Sequence, residues 1–538
     1  MALNIIENLI APRIYPYVTI KGEENIVSPK GIFVGIHAGN WETAISLFAH
    51  SQRFAVFAKH QKNKALDRFI TEVREQGKIH VCFSLKELIR CLRNGYTIGL
   101  VIDHGAEKDA IVVNFFSHLV PTPKGAVYLA RKFNLMIYPD FCYRQKLFSH
   151  VSEIGKPIDP RGKEYGEILG QLNKIYENYL EKYPWEYFWY YKRFKRKKNR
   201  NVVILSDGKS GHIRQSKAFL SFLLEEPYPI SVKIIDISYR KGPRRIIADM
   251  LAFFCGRNSL WGGWVLPFLV DKKTWENLDH IYADIVISTG SLVAPINKLF
   301  SSYIGAKSVS ILRPNIPLAK FNIAVVPEHD RIQADNAAVI KGALYYPENI
   351  NDKAEDCKRF FNLNNMKKIS FFAGGPLGDD REFMANLKDF VVQLKKFSLR
   401  KDYKILVSTS RRTPPEAEDY LEKELRDFVN TEAIVIANRN NYDFIFEGFV
   451  VSSDIVFVTN ESISMISEIA SLNKPCVCVF LATEYDKHKV FLESMQEEIT
   501  FLRKPYDIPL IKPKASAIFE KNKNRIKEAI GKIISKVS

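Results

Sequence analysis

The chain has 538 residues, enough for roughly three units of about 150 residues each, so a single hydrophobic core is excluded. Its 78 Lys and Arg against 60 Asp and Glu give a formal charge of +18, which indicates an anionic partner: nucleic acid, phospholipid headgroups or a phosphorylated substrate. The seven cysteines form no CxxC pair and lie in apolar stretches, as reduced core residues of a cytoplasmic protein do.

No segment of the sequence reaches the roughly 18 uninterrupted apolar residues that a spanning helix needs. Any contact with a membrane is therefore expected to be peripheral. Outside the N-terminal unit, the candidate for such contact is residues 244–270, where Arg244 and Arg245 precede an apolar, aromatic stretch. A core helix followed by a loop is the other interpretation of this stretch.

Strand-like apolar runs alternate with helical patterns along the whole chain, which is typical of α/β folds. The runs before residue 185 are Gly31 to Ile36, Phe54 to Phe57, Thr97 to Ile102 and Met136 to Pro139. An aromatic and then basic segment over 185–200 marks a boundary, and Val202 to Leu205 opens a new α/β pattern that runs twice. The predicted domains are residues 1–198, 199–350 and 351–538, with a cleft between the last two.

The first chemical signal is the segment His37 to Glu42 (HAGNWE), directly after the first predicted strand. A carboxylate five positions from a histidine can pair with one imidazole nitrogen and leave the other to take a proton from an attacking hydroxyl. Such chemistry requires neither a Ser or Cys nucleophile nor a metal. The histidines and carboxylates of the chain also lack the spacing of metal ligands, so no metal site is predicted.

Four ordered motifs over the first 195 residues resemble the late lipid A acyltransferases, the lauroyl and myristoyl transferase family. They are HAGNWE, a strand ending in Asp103-His104, the pair VVNFF and PTPKGA, and the closing PWEYFWYYKRFK. The resemblance implies an α/β domain of the lysophospholipid-acyltransferase type. His104 replaces the family's Gln, and the closing motif lacks a Gln and a His.

The resemblance also implies an activity: transfer of a fatty acyl chain from acyl carrier protein or coenzyme A to a hydroxyl of an anionic, lipid A-type glycolipid. His37 would be the general base, Glu42 would orient it, and no further cofactor is implied. Backbone amides near FF and PTPKG would hold the oxyanion. Substrate-binding residues implied by the same motifs are Asn40, Arg74, Asp103 and Lys124.

The family's location implies the cytoplasmic face of the bacterial inner membrane, with the membrane surface as a partner. The family's usual N-terminal extension with an anchoring helix is expected to be missing. The run from Lys192 to Arg200 supplies seven cations that could bind an anionic leaflet instead. A solvated linker is the other interpretation of this run.

Polar loops follow the predicted strands of residues 200–500, among them DGKSGH from Asp207, STGS from Ser288, GGP from Gly374, STSRRTP from Ser408 and TNESIS from Thr459. Their order resembles the family named for mitochondrial fission and elongated mitochondria, whose members look like glycosyltransferases of the GT-B class. That resemblance implies a pair of Rossmann-type α/β domains. Glycines and serines at strand-to-helix turns would bind the diphosphate of a nucleotide sugar, and Glu468 its ribose. The candidate residues are Gly208, Gly211, Gly374, Gly375, Ser410, Arg411, Arg412, Ser462, Ser464 and Glu468.

Two functions remain open for this second region. It transfers a sugar to the same glycolipid, or it is a non-catalytic module that binds membrane, glycolipid or a partner protein. For the serines, ordinary helix capping is the other interpretation. Binding of nucleic acid is not expected, because no recognised nucleic-acid module appears in the sequence.

Overall fold

The computed structural model describes residue 7 and residues 18–42, 53–61, 63–104, 110–191, 193–227, 229–256, 259–376, 378 and 381–534. It divides into two compact units, residues 1–199 and 200–537. Among the described helices, none is both long and apolar enough to cross a membrane.

The first unit is built on a seven-stranded sheet in the order β1-β9-β8-β2-β5-β3-β4, with a separate hairpin of β6 and β7. Its pairs are parallel except for β8 with β9 and the hairpin. The strands are β1 Val18–Lys21, β2 Gly31–Gly35, β3 Phe54–Phe57, β4 Ile79–Cys82, β5 Thr97–Val101, β6 Ile111–Phe115, β7 His118–Thr122, β8 Met136–Lys146 and β9 Ser149–Ile154. The described helices of this unit are α1 Lys64–Gln76, α2 Leu85–Arg93, α3 Gly125–Phe133 and α4 Tyr165–Lys182.

The four strands predicted for this unit are confirmed, because each is a short apolar run buried in the sheet. The prediction ended the fourth strand at Pro139, whereas β8 continues to Lys146 and pairs with β9. Polar residues interrupt the apolar pattern of that continuation, and one of them, Asp140, accepts a hydrogen bond from Oγ of Ser152 on β9 at 2.7 Å.

The second unit holds two parallel six-stranded sheets, in the orders β11-β10-β12-β13-β14-β15 and β18-β17-β16-β19-β20-β21. The first sheet comprises β10 Arg200–Ser206, β11 Ile230–Asp236, β12 Ile285–Thr289, β13 Lys307–Ile311, β14 Ile323–Pro327 and β15 Ala337–Ile340. The second comprises β16 Lys368–Ala373, β17 Lys404–Thr409, β18 Thr431–Val435, β19 Ile455–Thr459, β20 Cys476–Val479 and β21 Thr500–Leu502. This is the predicted pair of Rossmann-type domains.

Helices cover these two sheets. Those of the first half are α5 Ser210–Leu224, α6 Arg244–Phe254, α7 Gly262–Leu269, α8 Lys272–Asp279 and α9 Ala294–Ile304. Those that follow are α10 Ile350–Phe361, α11 Arg381–Lys401, α12 Pro415–Leu425, α13 Ile445–Ser452, α14 Ile463–Ser471, α15 Asp486–Met495 and α16 Ile518–Ile534. The last helix returns to the first sheet, where Ile526 and Ile530 pack with Phe219 and Phe222 of α5. The predicted 351–538 segment therefore completes the core of the preceding half.

Candidate active site

His37 and Asp103 form a buried pair at the carboxyl ends of two adjacent parallel strands. In the register of β2 with β5, Gly35 lies opposite Val101, so His37 and Asp103 each stand two residues beyond paired positions. Nδ1 of His37 lies 2.8 Å from Oδ1 of Asp103, and the backbone N–H of His37 donates to Oδ2 at 3.0 Å. With Nδ1 protonated, the neutral imidazole carries its lone pair on Nε2, the nitrogen that can accept a proton.

The structure corrects the partner predicted for His37. Asp103 holds Nδ1, whereas Glu42 is bound by both nitrogens of an Arg74 fork, with Nε donating to Oε2 at 2.9 Å and Nη2 to Oε1. Sequence proximity suggested Glu42, but Arg74 on α1 offers that carboxylate a bidentate cation. Arg74, predicted to bind substrate, therefore holds the segment after His37, and Asp103, also predicted to bind substrate, orients the imidazole.

The environment of Asp103 keeps it ionised. Complete burial would raise the pKa of Asp103, but the two hydrogen bonds from His37 outweigh burial and hold that pKa below its usual value. The ring of Trp41 meets that of His37 edge-on at 4.9 Å, and the ring of His104 does so at 4.6 Å. Partial burial and the neighbouring His37 lower the pKa of His104, which favours a neutral ring beside the pair.

Backbone contacts fix the loop that carries His37. Gly39 has φ +58°, and a Cβ there would lie 2.3 Å from the carbonyl oxygen of Cys142, so the motif requires glycine at this position. The closing motif pairs with the same loop: the Phe188 N–H donates to the His37 carbonyl at 2.9 Å, and the Gly39 N–H donates to the Glu186 carbonyl at 3.0 Å. The first and last motifs of the acyltransferase-like region are thus one structural unit.

Two other groups predicted to contact the substrate or the oxyanion, Asn40 and the Phe116 amide, form hydrogen bonds within this unit. Asn40 is buried and donates from Nδ2 to Oε2 of Glu7 at 2.9 Å, and its contact with substrate stays a prediction. The Phe116 amide, expected among the oxyanion donors, donates to Oε1 of Glu177 at 2.6 Å. Lys124 is half-buried directly before α3, where both its charge and the helix end favour an anion.

The predicted basic membrane contact at residues 192–200 is wrong for three of its cations. Arg193, Lys197 and Arg200 are only 5%, 3% and 8% exposed. Arg193 donates to Oδ1 of Asn173 at 2.8 Å, and its guanidinium lies 3.9 Å from the centre of the Phe115 ring. Burial lowers the pKa of Arg193, and the nearby Asp103 opposes that shift. These three cations are therefore packed within the protein and are not displayed at its surface.

Residue spacing did not reveal one cluster of potential metal ligands, which lies on β4 and α2. Donor atoms of His80, Cys82 and Cys91 lie within 4.8 Å of one another, with the two sulfurs 3.5 Å apart. Burial raises the pKa of the Cys82 thiol to about 12, which disfavours the thiolate that a metal would require. The described cysteines are all buried thiols, in line with their predicted place in the core.

In the second unit, the loops after β16, β17 and β19 converge, as predicted from their motifs. The Gly374 N–H donates to Oγ1 of Thr459 at 2.8 Å, and Oγ1 of Thr413 donates to the Ala373 carbonyl at 2.9 Å. Gly375, Ser410, Arg411, Arg412, Ser462 and Ser464 lie in or beside these loops. Ser462 precedes α14 without a side-chain capping bond, so the capping interpretation does not account for it.

Glu468 was predicted to bind the ribose of a nucleotide sugar, but its carboxylate is not exposed. It is buried where the two halves of the second unit meet, and Nη1 of Arg214 on α5 donates to its Oε2 at 2.9 Å. Burial raises the pKa of Glu468 to about 7 although Arg214 opposes the shift. Gly208 and Gly211 lie at the start of the same helix, α5, as Arg214, so the predicted glycine turn borders this contact.

A second His–Asp pair lies in that turn, and the sequence reasoning did not single it out. Nδ1 of His212 is 2.9 Å from Oδ2 of the buried Asp207. The imidazole packs on Gly290, which has φ +86° and where a Cβ would lie 2.6 Å from Cε1 of His212. The signal available in the sequence was a histidine five residues after an aspartate that follows a strand.

Solved structures similar to the chain fall into two groups. A UDP-GlcNAc 2-epimerase from Methanocaldococcus jannaschii is 12% identical, with a TM-score of 0.36 over 62% of this chain and 99% of its own. A glycosyl transferase of family 9 from Veillonella parvula is 12% identical, with a TM-score of 0.33 over 63% and 98%. The 1-acyl-sn-glycerophosphate acyltransferase of Thermotoga maritima is 16% identical, with a TM-score of 0.24 over 34% and 78%.

Sequence comparisons match the chain to a relative and to two protein families. An uncharacterized protein of Rickettsia prowazekii (strain Madrid E) is 23% identical, covering 43% of this chain and 75% of its own. Residues 5–196 match the family Bacterial lipid A biosynthesis acyltransferase. Residues 189–507, more than half of the chain, match the family Mitochondrial fission ELM1. The chain therefore belongs to the Mitochondrial fission ELM1 family, and its N-terminal part matches the bacterial lipid A biosynthesis acyltransferase family.

Proposed function

We propose that the first unit transfers a fatty acyl group from acyl carrier protein or coenzyme A to a hydroxyl of a lipid A-type glycolipid. The observation that carries the proposal is the His37–Asp103 pair at the carboxyl ends of β2 and β5, within the region that matches the acyltransferase family. The acceptor would lie in the cytoplasmic leaflet of the inner membrane, with the protein bound peripherally.

In the proposed reaction, Nε2 of His37 takes the proton of the acceptor hydroxyl as its oxygen attacks the thioester carbonyl. The carbon–sulfur bond then breaks, and the thiolate leaves with the bonding electrons and receives the proton from the imidazolium. Asp103 stabilises that imidazolium and fixes its tautomer. Lys124 would hold a phosphate of the donor arm or the acceptor. The step requires no metal ion, because the thioester supplies the leaving group and His37 supplies the base.

The test is a mass gain of one acyl group on a lipid A precursor incubated with acyl-ACP or acyl-CoA. We expect the wild type to produce it and the His37→Gln variant to lose at least 100-fold in rate. His60→Gln is a matched control, because His60 forms an exposed pair with Asp67 at 2.8 Å in the same unit. No acylation by the wild type, or equal loss in both variants, would contradict the proposal.

A second function, sugar transfer by the second unit, is favoured by the Asp207–His212 pair. The pair stands at the start of α5, and Arg214 on the same helix contacts α14, beside the converged loops. His212 would take the proton of an acceptor hydroxyl while the diphosphate of a nucleotide sugar departs towards Arg411 and Arg412. Glu468 would position Arg214 rather than bind ribose.

This second proposal is tested by incubating the full chain with nucleotide sugars and the lipid acceptor and measuring nucleoside diphosphate release. We expect His212→Ala to lower release at least 100-fold while nucleotide-sugar affinity changes less than about threefold. Nucleotide-sugar binding without release by the wild type would instead favour the non-catalytic binding module.

A further inference from the structure

An apolar surface on the first half of the second unit has no function in either proposed reaction. It is formed by α6, α7 and Leu260, which lies two residues before α7, and its large side chains are between 47% and 80% exposed. They are Ile246, Met250, Phe253, Phe254, Leu260, Trp264 and Phe268. Isolated exposed apolar residues are ordinary, but a contiguous set of this size marks an interaction site.

The spacing of these residues shows that each helix has two apolar faces. On α6 the exposed positions recur at 246, 250 and 253–254, and around α7 at 260, 264 and 268, which places each set on one helical face. The opposite faces pack on α9. Cβ atoms at Gly262 and Gly263 would lie 2.6 Å from the Leu299 carbonyl oxygen and 2.4 Å from the Tyr303 ring. Because α6 and α7 also contact each other, their outer faces form one surface.

Cations border this apolar surface. Lys241 and Arg245 are exposed beside the start of α6, and Nζ of Lys320 lies 5.5 Å from the centre of the Phe253 ring. Two arginines, Arg244 and Arg245, begin α6, where the positive end of the helix dipole disfavours cations. The arginine charges and the helix dipole therefore both attract an external anion to this end of the helix. The carboxylate on α6, Asp249, is half-buried and accepts a hydrogen bond from Asn315 at 3.3 Å.

We infer that α6 and α7 form the surface by which this chain binds an anionic lipid bilayer. The apolar side chains enter the boundary between headgroups and acyl chains, and the bordering cations bind lipid phosphates. The burial of Arg193, Lys197 and Arg200 removes part of the alternative contact at residues 192–200. The purpose of this membrane binding rests on the proposed function, in which the acceptor lipid lies in a membrane. Lipid binding itself can be measured without acyl transfer or sugar transfer.

The experiment is flotation of the full chain with vesicles of phosphatidylethanolamine and phosphatidylglycerol. The variant Phe254→Asp/Trp264→Asp/Phe268→Asp is expected to lower the partition coefficient at least tenfold. The control Val392→Asp/Leu399→Asp/Val429→Asp adds the same charge at exposed apolar positions of the other half and is expected to change it less than twofold. Lys241→Ala is expected to lower binding about fivefold on these vesicles and not on phosphatidylcholine, since a cation near an anionic leaflet contributes about 1 kcal/mol.

A second measurement covers the case in which the triple variant fails to fold. Brominated lipid should quench the tryptophan fluorescence of the wild type, and the quenching should fall in Trp264→Phe. Acyl transfer to detergent-dispersed acceptor should persist in the folded triple variant, which separates this inference from the proposed reaction. The inference is overturned if the wild type does not bind anionic vesicles or if the patch and control variants bind equally. It is also overturned if the surface instead mediates a dimer that the triple variant dissociates.

Discussion

Asp103 and His37 are 66 residues apart in the chain, yet Oδ1 of Asp103 lies 2.8 Å from Nδ1 of His37 and Oδ2 accepts the backbone N–H of the same residue. Two contacts to one carboxylate fix both the position of the loop and the tautomer of the ring. The pair therefore needs no movement of Glu42, which Arg74 holds separately.

The glycine of the HAGNWE motif should be essential for folding rather than for chemistry. Gly39→Ala is expected to destabilise the protein by more than about 2 kcal/mol, because its Cβ would meet the Cys142 carbonyl and its φ is +58°. Gly170→Ala, in the middle of α4 with nothing within 4 Å of the added Cβ, should instead stabilise by about 0.5–1 kcal/mol. Chemical denaturation followed by circular dichroism measures both, and equal effects would contradict this account of Gly39.

Arg193 should stabilise the first unit through contacts that lysine cannot reproduce. Arg193→Lys is expected to cost about 2 kcal/mol, because an ammonium cannot both lie on the Phe115 ring and donate in the plane to Asn173. Lys198→Met, at an exposed position of the same segment, should change stability by less than about 0.5 kcal/mol. The same denaturation experiment tests this. An Arg193→Lys variant as stable as the wild type would show that the segment is solvated.

The stability of the second unit should depend on pH through Glu468. Its pKa is raised from 4.5 to about 7 on folding, so its contribution is complete below pH 4.5 and is lost as the pH rises through 7. The melting temperature of Glu468→Gln minus that of the wild type should therefore be higher at pH 8 than at pH 5.5. The exposed Glu497→Gln should show no such trend. Scanning calorimetry of both variants at pH 5.5 and pH 8 measures this difference. The same pH dependence of melting temperature in both variants would exclude a raised pKa of Glu468.

Continuous apolar runs made the strands predictable, and the positions of His37 and the polar loops followed from strand ends. The hydrogen-bonding partner of His37 was not predicted, because only a carboxylate close to it in the sequence was considered. Asp103 also directly follows a predicted strand, so pairing that strand with β2 would have brought the two side chains together. The basic run was misjudged because the sequence alone does not show that Arg193 is buried against the ring of Phe115 on β6. Glu468 was misjudged because nothing local shows that Arg214, 254 residues away, covers it.

In the proposed reaction, Asp103 orients His37 for acyl transfer. The most direct test compares the single-turnover rate of acyl transfer for Asp103→Asn and Glu42→Gln, with acyl-ACP and a lipid A precursor as substrates. Both substitutions preserve side-chain size and remove one charge. We expect a loss of roughly 100-fold or more for Asp103→Asn and less than about tenfold for Glu42→Gln. A larger loss for Glu42→Gln than for Asp103→Asn would contradict this role of Asp103.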